Sequence, residues 1–425
     1  MLLLSNTEDY IKHKLVHSLH TSQRRSFRGC RRRHNWIFID GYYPTVTVKP
    51  LEFGVAFHKA MEKLYDPLTW DDKELAYQLA RAIFVQTCDE QFAAFKRAVK
   101  EGKVNGFVDM IASEADYKER KELGLGMLAH YFKQEMPQHD HNFRPVKVET
   151  EFEVAIVDPD GNQLWCKCSR CWRRWQAWGK QHKFDSDWTM EQSYQLRSEW
   201  KGLPVTYGGR FDALVVDDLG RYWIVDWKTA ARLSTGEPGA DDDYLQLDDQ
   251  ITSYCWAMWK IGFPVAGFIY AELKKIAPAE PEPLKRPYKG MIYSTNKQAT
   301  TATYEMYLTT VKENDPIAYH NGLYDDMLQH LKDSSRFHLR HQIHRNEHEL
   351  QEAGYNIWLE ASDIIDPNLR IYPSPGRFTC KTCAFFEPCL GQQRGEDYQY
   401  YLDTMFDKRE RHYFEKPPNT DKRGD

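Results

Sequence analysis

Several common features are missing from this sequence, and each absence excludes a class of protein. No apolar run approaches the roughly 20 residues that a membrane-spanning helix requires. The opening run Leu2-Leu3-Leu4 is too short for a signal peptide, so we expect a cytoplasmic location, which is the host cytoplasm if the protein is viral. No Gly-Lys-Ser/Thr phosphate loop occurs, which argues against an ATP-driven motor in this chain.

The chain also lacks a strong excess of charge and a high density of cysteine. Its net charge is only −5 over 425 residues, so any binding of nucleic acid must use local basic patches rather than the overall field. Nine cysteines are too sparse for a secreted disulfide scaffold, so clustered cysteines are interpreted first as metal ligands. The 41% of hydrophobic residues is enough for a globular protein with a full core.

The most informative segment predicts a β-hairpin that carries two acids and a lysine. Two β-rich runs flank the turn Asp217-Asp-Leu-Gly220. If the turn centres on Leu219, Asp212 and Asp226 lie opposite each other, and Lys228 points to the same face as Asp226. Two carboxylates this close repel unless a divalent cation such as Mg²⁺ or Mn²⁺ binds between them. The alternative is an exposed hairpin with a cross-strand Lys–Asp pair.

Other segments contribute candidates that are weak when taken singly. His58 lies in a mostly apolar helical segment, where a lone histidine is more often a core residue. Glu149 and Glu151 belong to an alternating acidic strand, which could equally be a solvated face. Gln250 and Tyr254 share one face of a predicted helix, and a half-buried helix face would explain them as well.

Taken in order, these pieces resemble the RecB-type branch of the PD-(D/E)XK nuclease superfamily. The family pattern is a helix with a His, a strand with a Glu, Gly-x-x-Asp, Asp/Glu-x-Lys-Thr and then Gln-x-x-x-Tyr. The matching positions here are His58, Glu149, Gly209 to Asp212, Asp226-Trp227-Lys228-Thr229, and Gln250 to Tyr254. The resemblance implies an α/β, restriction-endonuclease-like fold, in which a mixed sheet is flanked by helices, with helical additions at the N- and C-terminal ends.

The resemblance also implies roles for these residues. His58, Asp212, Asp226 and the carbonyl of Trp227 would bind Mg²⁺ or Mn²⁺, and Lys228 would be catalytic. Glu149 would join the catalytic set, with Glu151 as a rival for its place. Gln250 and Tyr254 would contact DNA near the scissile phosphate.

A cysteine cluster near the C-terminal end predicts a second metal centre. Cys380, Cys383 and Cys389 form a C-x2-C-x5-C pattern, and Cys30 is the candidate for a fourth ligand. Four thiolates suit either zinc or iron. One cysteine before the core and three after it resemble the iron–sulfur staple of RecB-type nucleases, as in the AddB subunit and the CRISPR-associated exonucleases. The resemblance therefore implies a [4Fe–4S] cluster, beside which the basic run would bind DNA phosphates through Arg28, Arg31, Arg32 and Arg33.

A second cysteine set lies in an insertion, at residues 162–190, that falls outside the family pattern. Cys166, Cys168 and Cys171 could form a zinc site with His182, and free surface cysteines are the alternative. Tryptophans alternate with basic residues in the same segment. That mixture would suit a clamp that stacks on unpaired DNA bases, and a small aromatic core explains it equally well.

Together these observations predict four regions: a basic N-terminal segment (1–50) with the first cluster cysteine, a nuclease core (51–275), a mostly helical region (276–406) with three cluster cysteines, and a flexible tail (407–425). The predicted function is a metal-dependent DNA exonuclease that acts on single-stranded ends in recombination, repair or replication. The Pro-rich stretch after Lys275 and the helical region after it resemble phage-encoded members. Open alternatives are an endonuclease, a CRISPR spacer-processing nuclease and a non-catalytic DNA-binding adaptor, and recombination proteins are the expected partners.

Overall fold

The computed structural model describes residues 6–44, 49–100, 107–181, 197–233, 242–297, 300–333 and 337–408. Two compact units share the chain. The first unit comprises Met1–Thr47, Phe152–Gly209 and Glu347–Asp425, and the second comprises Val48–Glu151 and Arg210–Asn346. Most of the predicted tail, from residue 409 onward, lies outside the described residues.

The strands are numbered in chain order. They are β1 (His17–Leu19), β2 (Tyr42–Pro44), β3 (Phe143–Ala155), β4 (Trp165–Cys166), β5 (Leu203–Asp217), β6 (Tyr222–Ala230), β7 (Gly267–Lys274), β8 (Pro283–Tyr288), β9 (Met291–Tyr293), β10 (His338–Ile343) and β11 (Phe406–Lys408).

The α-helices are numbered in the same way. They are α1 (Thr7–Lys12), α2 (Thr21–Gly29), α3 (Arg31–His34), α4 (Lys49–Leu64), α5 (Lys73–Lys100), α6 (Phe107–His130), α7 (Met136–His139), α8 (Ser169–Gln181), α9 (Asp242–Leu247), α10 (Asp249–Lys260), α11 (Tyr304–Asn314), α12 (Pro316–His320), α13 (Asp325–Asp333), α14 (Glu347–Ile365), α15 (Arg377–Lys381), α16 (Phe386–Arg394) and α17 (Tyr398–Met405). Short π-helical turns occupy Asn35–Ile39 and Tyr131–Glu135.

A mixed sheet organises the second unit. The C-terminal half of β5 pairs antiparallel with β6, β6 pairs parallel with β7, and β7 pairs antiparallel with β10. The parallel step is possible because α10 provides the crossover connection between β6 and β7. Helices α4, α5 and α6 lie on this sheet, so the predicted α/β class, a mixed sheet flanked by helices, is confirmed.

The core of the second unit lies between this sheet and the first long helices. Phe53, Phe57, Met61 and Leu64 of α4 recur every three or four residues, and all are buried. They pack with the inward face of the strands, including Trp223 and Trp227. Helix α4 is therefore fixed by its apolar stripe, and this fixes the orientation of its polar face as well.

The region predicted to be mostly helical, 276–406, also contains strands. Strands β8 and β9 form a two-stranded antiparallel sheet, and β10 is added to the edge of β7. The sequence His338–Ile343 carries two histidines, an arginine and a glutamine, and so has little of the apolar alternation that indicates a strand.

The first unit brings segments from both ends of the chain together. Strand β1 pairs parallel with the start of β5, and β2 pairs antiparallel with β11. A small core joins Trp36 and Tyr42 to Phe385, Leu402 and Phe406. Within the part of the chain that the structure describes, no helix is both long enough and apolar enough to cross a bilayer.

Candidate metal and active site

The hairpin of β5 and β6 places two carboxylates opposite each other. Its turn closes with hydrogen bonds from the Asp217 amide to the Arg221 carbonyl and from the Gly220 amide to the Asp217 carbonyl. Gly220 has a φ of 76°, a conformation that glycine adopts without steric cost. Ala213 pairs with Val225, so the same register puts Asp212 opposite Asp226. The register predicted from the sequence is confirmed.

His58 and the β6 backbone both bind Asp212. The imidazole Nδ1 of His58 lies 3.1 Å from Asp212 Oδ2, and the amide of Trp227 donates a 2.8 Å hydrogen bond to the same oxygen. His58 reaches this point because the apolar stripe of α4 packs on the sheet, which brings its flank to Asp212. The Trp227 ring itself is buried in the core against Tyr65, with ring centroids 4.6 Å apart.

Lys228 lies on the Asp226 side of the hairpin. Its Nζ is 2.5 Å from Asp226 Oδ2, and the two residues share a face because side chains two positions apart on a strand point the same way. Asp226 is buried, whereas the lysine side chain is 36% exposed. The lysine therefore reaches from a buried carboxylate toward solvent.

The two carboxylates have opposite pKa shifts. For Asp212, burial raises the pKa, but His58, Lys228 and the Trp227 amide outweigh burial and hold it below its usual value. For Asp226, burial together with the neighbouring Asp212 outweighs Lys228, so its pKa is raised. Burial opposes the charge of Lys228, yet Asp226 and Asp212 raise its pKa well above the ordinary range. Lys228 is therefore protonated at neutral pH.

Glu149 has an unusual backbone conformation within β3. Its φ is 47°, in the left-handed region that residues other than glycine rarely adopt. Its carboxylate forms an ion pair with Arg210, with 2.8 Å between Glu149 Oε2 and Arg210 Nε. Burial raises its pKa, and the nearby charges include Asp212, Glu62 and His58. Glu151 is exposed, so of the two rivals Glu149 is the one that faces the site.

The donor types of this site suit a hard divalent cation, and among the described residues these donors are not part of any set that lies within a mutual 4.8 Å. Three carboxylates and one imidazole supply oxygen and nitrogen ligands, and carboxylate oxygen is the ligand that Mg²⁺ and Mn²⁺ prefer. Asp226 is buried with a raised pKa beside a second carboxylate, so a bound cation would relieve an unfavourable charge.

Three further residues near the site were not identified from the sequence: Arg210, Glu62 and Tyr270. Tyr270 pairs with Asp226 across β6 and β7, and burial raises its pKa to about 12.

The residues predicted to contact DNA differ in burial and in their charged neighbours. Gln250 is half-buried on α10, while Tyr254 is buried, with its ring centroid 6.5 Å from that of Phe268 on β7. In the first unit, Arg28 pairs with Glu360 at 3.5 Å, and Arg31 with Asp363 at 3.4 Å. These two arginines therefore already have carboxylate partners on α14.

The four cysteines of the predicted cluster line one cavity in the first unit. The cavity has a volume of about 190 Å³, and its wall includes Cys30, Cys380, Cys383 and Cys389. Arg32 and Arg33 also line it, and Arg32 Nη1 lies 3.5 Å from Cys389 Sγ. Chain segments far apart in sequence thus bring four thiol groups and two cations to one space.

The second cysteine set has a different fourth member from the one predicted. Cys166, Cys168 and Cys171 come together with His17, and His182 lies outside the described residues. His17 was missed because it is about 150 residues away in sequence. The expected stacking platform is not supported either, because Trp172, Trp175 and Trp178 are each less than 10% exposed. Trp172 packs on Trp175 and Trp200, so these tryptophans form a small aromatic core.

A mixed sheet that presents an acid pair, a further glutamate and a lysine beside a histidine defines a metal-dependent nuclease. A comparison with family models agrees with this class: the model of the PD-(D/E)XK nuclease superfamily matches residues 19–389. The chain belongs to that superfamily, whose members use divalent metals and act on DNA. The comparison with curated proteins gives no match.

Proposed function

We propose that this nuclease is an exonuclease that degrades DNA from single-stranded ends during recombination, repair or replication. The observation that carries the proposal is the cavity lined by Cys30, Cys380, Cys383 and Cys389. One cysteine before the core and three after it resemble RecB-type exonucleases that carry an iron–sulfur staple.

Within the site, His58, Asp212, Asp226 and the Trp227 carbonyl would hold Mg²⁺ or Mn²⁺. When bound, such an ion activates water and stabilises charge on the phosphodiester. Asp212 is pre-oriented for this role, because His58 and the Trp227 amide fix the same carboxylate oxygen. Glu149 would join the catalytic set, with its own carboxylate held by Arg210.

Lys228 would act as a fixed cation rather than as a base. Asp226 and Asp212 raise its pKa, which favours the protonated ammonium. A protonated amine beside the acid pair can instead donate hydrogen bonds to the phosphate oxygens, whose negative charge grows in the transition state. Gln250 and Tyr254 would complete the DNA contacts on the α10 side.

The spacing of the staple cysteines favours a four-iron cluster over a single zinc ion. A tetrahedral zinc with Zn–S bonds of ~2.3 Å brings its sulfur atoms to about 3.8 Å from one another. Among the described residues, these four are not part of any donor set that lies within a mutual 4.8 Å. In a [4Fe–4S] cluster each thiolate binds a different iron, so the sulfur atoms lie further apart. The cavity of about 190 Å³ between them leaves room for such a group.

The exonuclease proposal is tested with matched linear and covalently closed circular DNA. With Mg²⁺ or Mn²⁺, the protein should degrade end-labelled single-stranded linear DNA and leave a circle of the same sequence intact. Cutting of the circle would show an endonuclease. Binding without cutting, under conditions in which iron and magnesium are both present, would show a non-catalytic adaptor.

The staple is tested by metal analysis of protein purified without oxygen. We expect about four irons per chain and an absorbance band near 400 nm. Cys380→Ser should lose iron, while Cys255→Ser, a buried helix cysteine outside the cavity, should keep it. Retention of iron in the Cys380 variant, or zinc in place of iron in anaerobic wild-type protein, would contradict the cluster assignment.

A further inference from the structure

We infer that His17, Cys166, Cys168 and Cys171 form a structural zinc site that is separate from both the nuclease site and the staple. Their four ligating atoms all lie within 4.8 Å of one another. His17 Nδ1 is 3.2 Å from Cys171 Sγ. A tetrahedral zinc with Zn–N of ~2.0 Å and Zn–S of ~2.3 Å requires its N and S ligands to be about 3.5 Å apart, so the set has the right size for a single ion.

The local chain geometry builds this set from three elements. Cys166 is on β4, Cys168 immediately precedes α8, and Cys171 is in the first turn of α8. The amide of Cys171 donates a 3.4 Å hydrogen bond to Cys168 Sγ. A helix N-terminus favours thiolate over thiol, and thiolate is the form that binds zinc.

A glycine permits the close backbone approach at Cys166. Gly202 has a φ of 109°, and a Cβ at this position would lie 2.7 Å from the Cys166 carbonyl oxygen. The next residue, Leu203, pairs with Cys166 in the β4–β5 ladder. Only glycine fits here without displacing the strand that carries the first ligand.

Other contacts also hold α8 against the N-terminal segment. Arg174 donates hydrogen bonds of 2.7 Å to the Val16 carbonyl and 2.8 Å to the Lys14 carbonyl. The His13 ring packs on Trp178, with ring centroids 5.5 Å apart. The zinc would thus join β1 to α8 across a sequence separation of about 150 residues. It would hold the insertion onto the strand that precedes the basic helices.

Packing alone accounts for single buried cysteines, but it does not account for the convergence of these four groups. Cys166 and Cys171 are only 2% and 1% exposed, and a third sulfur and an imidazole lie beside them. All nine cysteines are unpaired in the structure, so a disulfide does not account for the clustering. Three thiol groups and one histidine are a donor set typical of structural zinc sites.

The experiment is elemental analysis of zinc and iron in wild-type protein and matched variants. Wild-type protein should contain one zinc per chain in addition to its iron. His17→Ala should lose the zinc, and His17→Cys should keep it, because four cysteines also bind zinc. His13→Ala removes a packing contact with the same helix, and His182→Ala removes the histidine nearest in sequence; both should retain zinc.

Each other outcome overturns the inference. Loss of zinc in His182→Ala together with its retention in His17→Ala would transfer the fourth ligand to His182. Zinc-free wild-type protein with two fewer titratable thiols than its nine cysteines provide would show a disulfide instead. If His17→Ala does not fold, His17→Cys and cobalt substitution of wild-type protein still decide the question, since a tetrahedral cobalt–thiolate centre has a visible absorption spectrum.

Discussion

Two aspartates of the same hairpin should respond to different degrees to the same substitution. Asp226→Asn removes a buried carboxylate whose pKa is raised. The raised pKa means that the ionised form is less favourable in the folded protein than in the unfolded chain. Asp217→Asn removes a carboxylate whose pKa is lowered to about 2 by Trp223 and Arg221, against the effect of burial. Trp223 Nε1 and Arg221 Nε donate to Asp217 Oδ2 at 3.0 and 2.8 Å.

The pH dependence of folding stability follows from the directions of these two pKa shifts. Because the folded pKa of Asp226 is above the ordinary 3.8, the protein gains stability from this group as the pH falls through that folded value. The contribution of Asp217 is present above pH 3.8 and is lost as the pH falls toward 2. At pH 7 in a chelator, Asp226→Asn removes both the repulsion from Asp212 and the 2.5 Å partner of Lys228, so the two effects offset each other and this variant should lose less stability than Asp217→Asn.

Added Mg²⁺ should widen the stability difference between wild-type protein and the Asp226 variant. A ligand at 100 times its dissociation constant stabilises the folded state by about 2.7 kcal/mol, and Asp226→Asn should lose this response. The same variant should cleave DNA about a thousandfold more slowly, since removing ~4 kcal/mol of metal-derived stabilisation has that effect. Asp217→Asn should keep both the magnesium response and cleavage.

Chemical denaturation with and without Mg²⁺, together with a cleavage assay on end-labelled DNA, measures all of these quantities. The reasoning is refuted if Asp226→Asn is destabilised in chelator as much as Asp217→Asn. It is also refuted if Asp226→Asn keeps the magnesium response, because the acid pair would then not hold the cation.

Three further predictions concern other parts of the chain. Glu149→Gln should reduce cleavage by about a hundredfold or more, while the exposed Glu151→Gln should leave it unchanged; a larger effect at Glu151 would reverse their roles. Gly202→Ala should lower zinc content and destabilise the protein by ~1–3 kcal/mol, measured by elemental analysis and denaturation. Arg340→Met should cost about 3–5 kcal/mol in the free energy of unfolding, because it leaves Asp140 buried without its 2.5 Å ion pair; a cost below 1 kcal/mol would contradict this reasoning.

The hairpin could be predicted because its information is local. The turn residues fix the register, and the register fixes which side chains face each other. Tyr270 and Glu62 join the site through the parallel β6–β7 pairing and through α4 packing, so nothing in their neighbouring sequence indicates them. The left-handed φ of Glu149 has no sequence signal either, because glutamate rarely adopts that conformation.

The Cys/Trp-rich insertion shows how a composition signal can mislead. Alternating tryptophan and arginine predicted either base stacking or a small core, and composition is the same in both cases. Burial decides between them, since a ring with less than 10% of its surface exposed cannot stack on a base. The nearby His182 was chosen as the fourth zinc ligand by proximity in sequence, whereas the parallel pairing of β1 with β5 brings the distant His17 to the cysteines.

The sequence by itself determined the α/β class, the opposed acids of the hairpin and the cysteines that gather into clusters, because each depends on residues close together along the chain. The tertiary structure alone decided that His17 lies beside Cys171 and that Tyr270 lies across from Asp226. It also brings Cys30, which the family resemblance had already implied, to the cavity of Cys380. The physical reason is that such contacts depend on how helices and strands pack, and packing is set by the buried apolar surfaces of the whole unit rather than by any one segment.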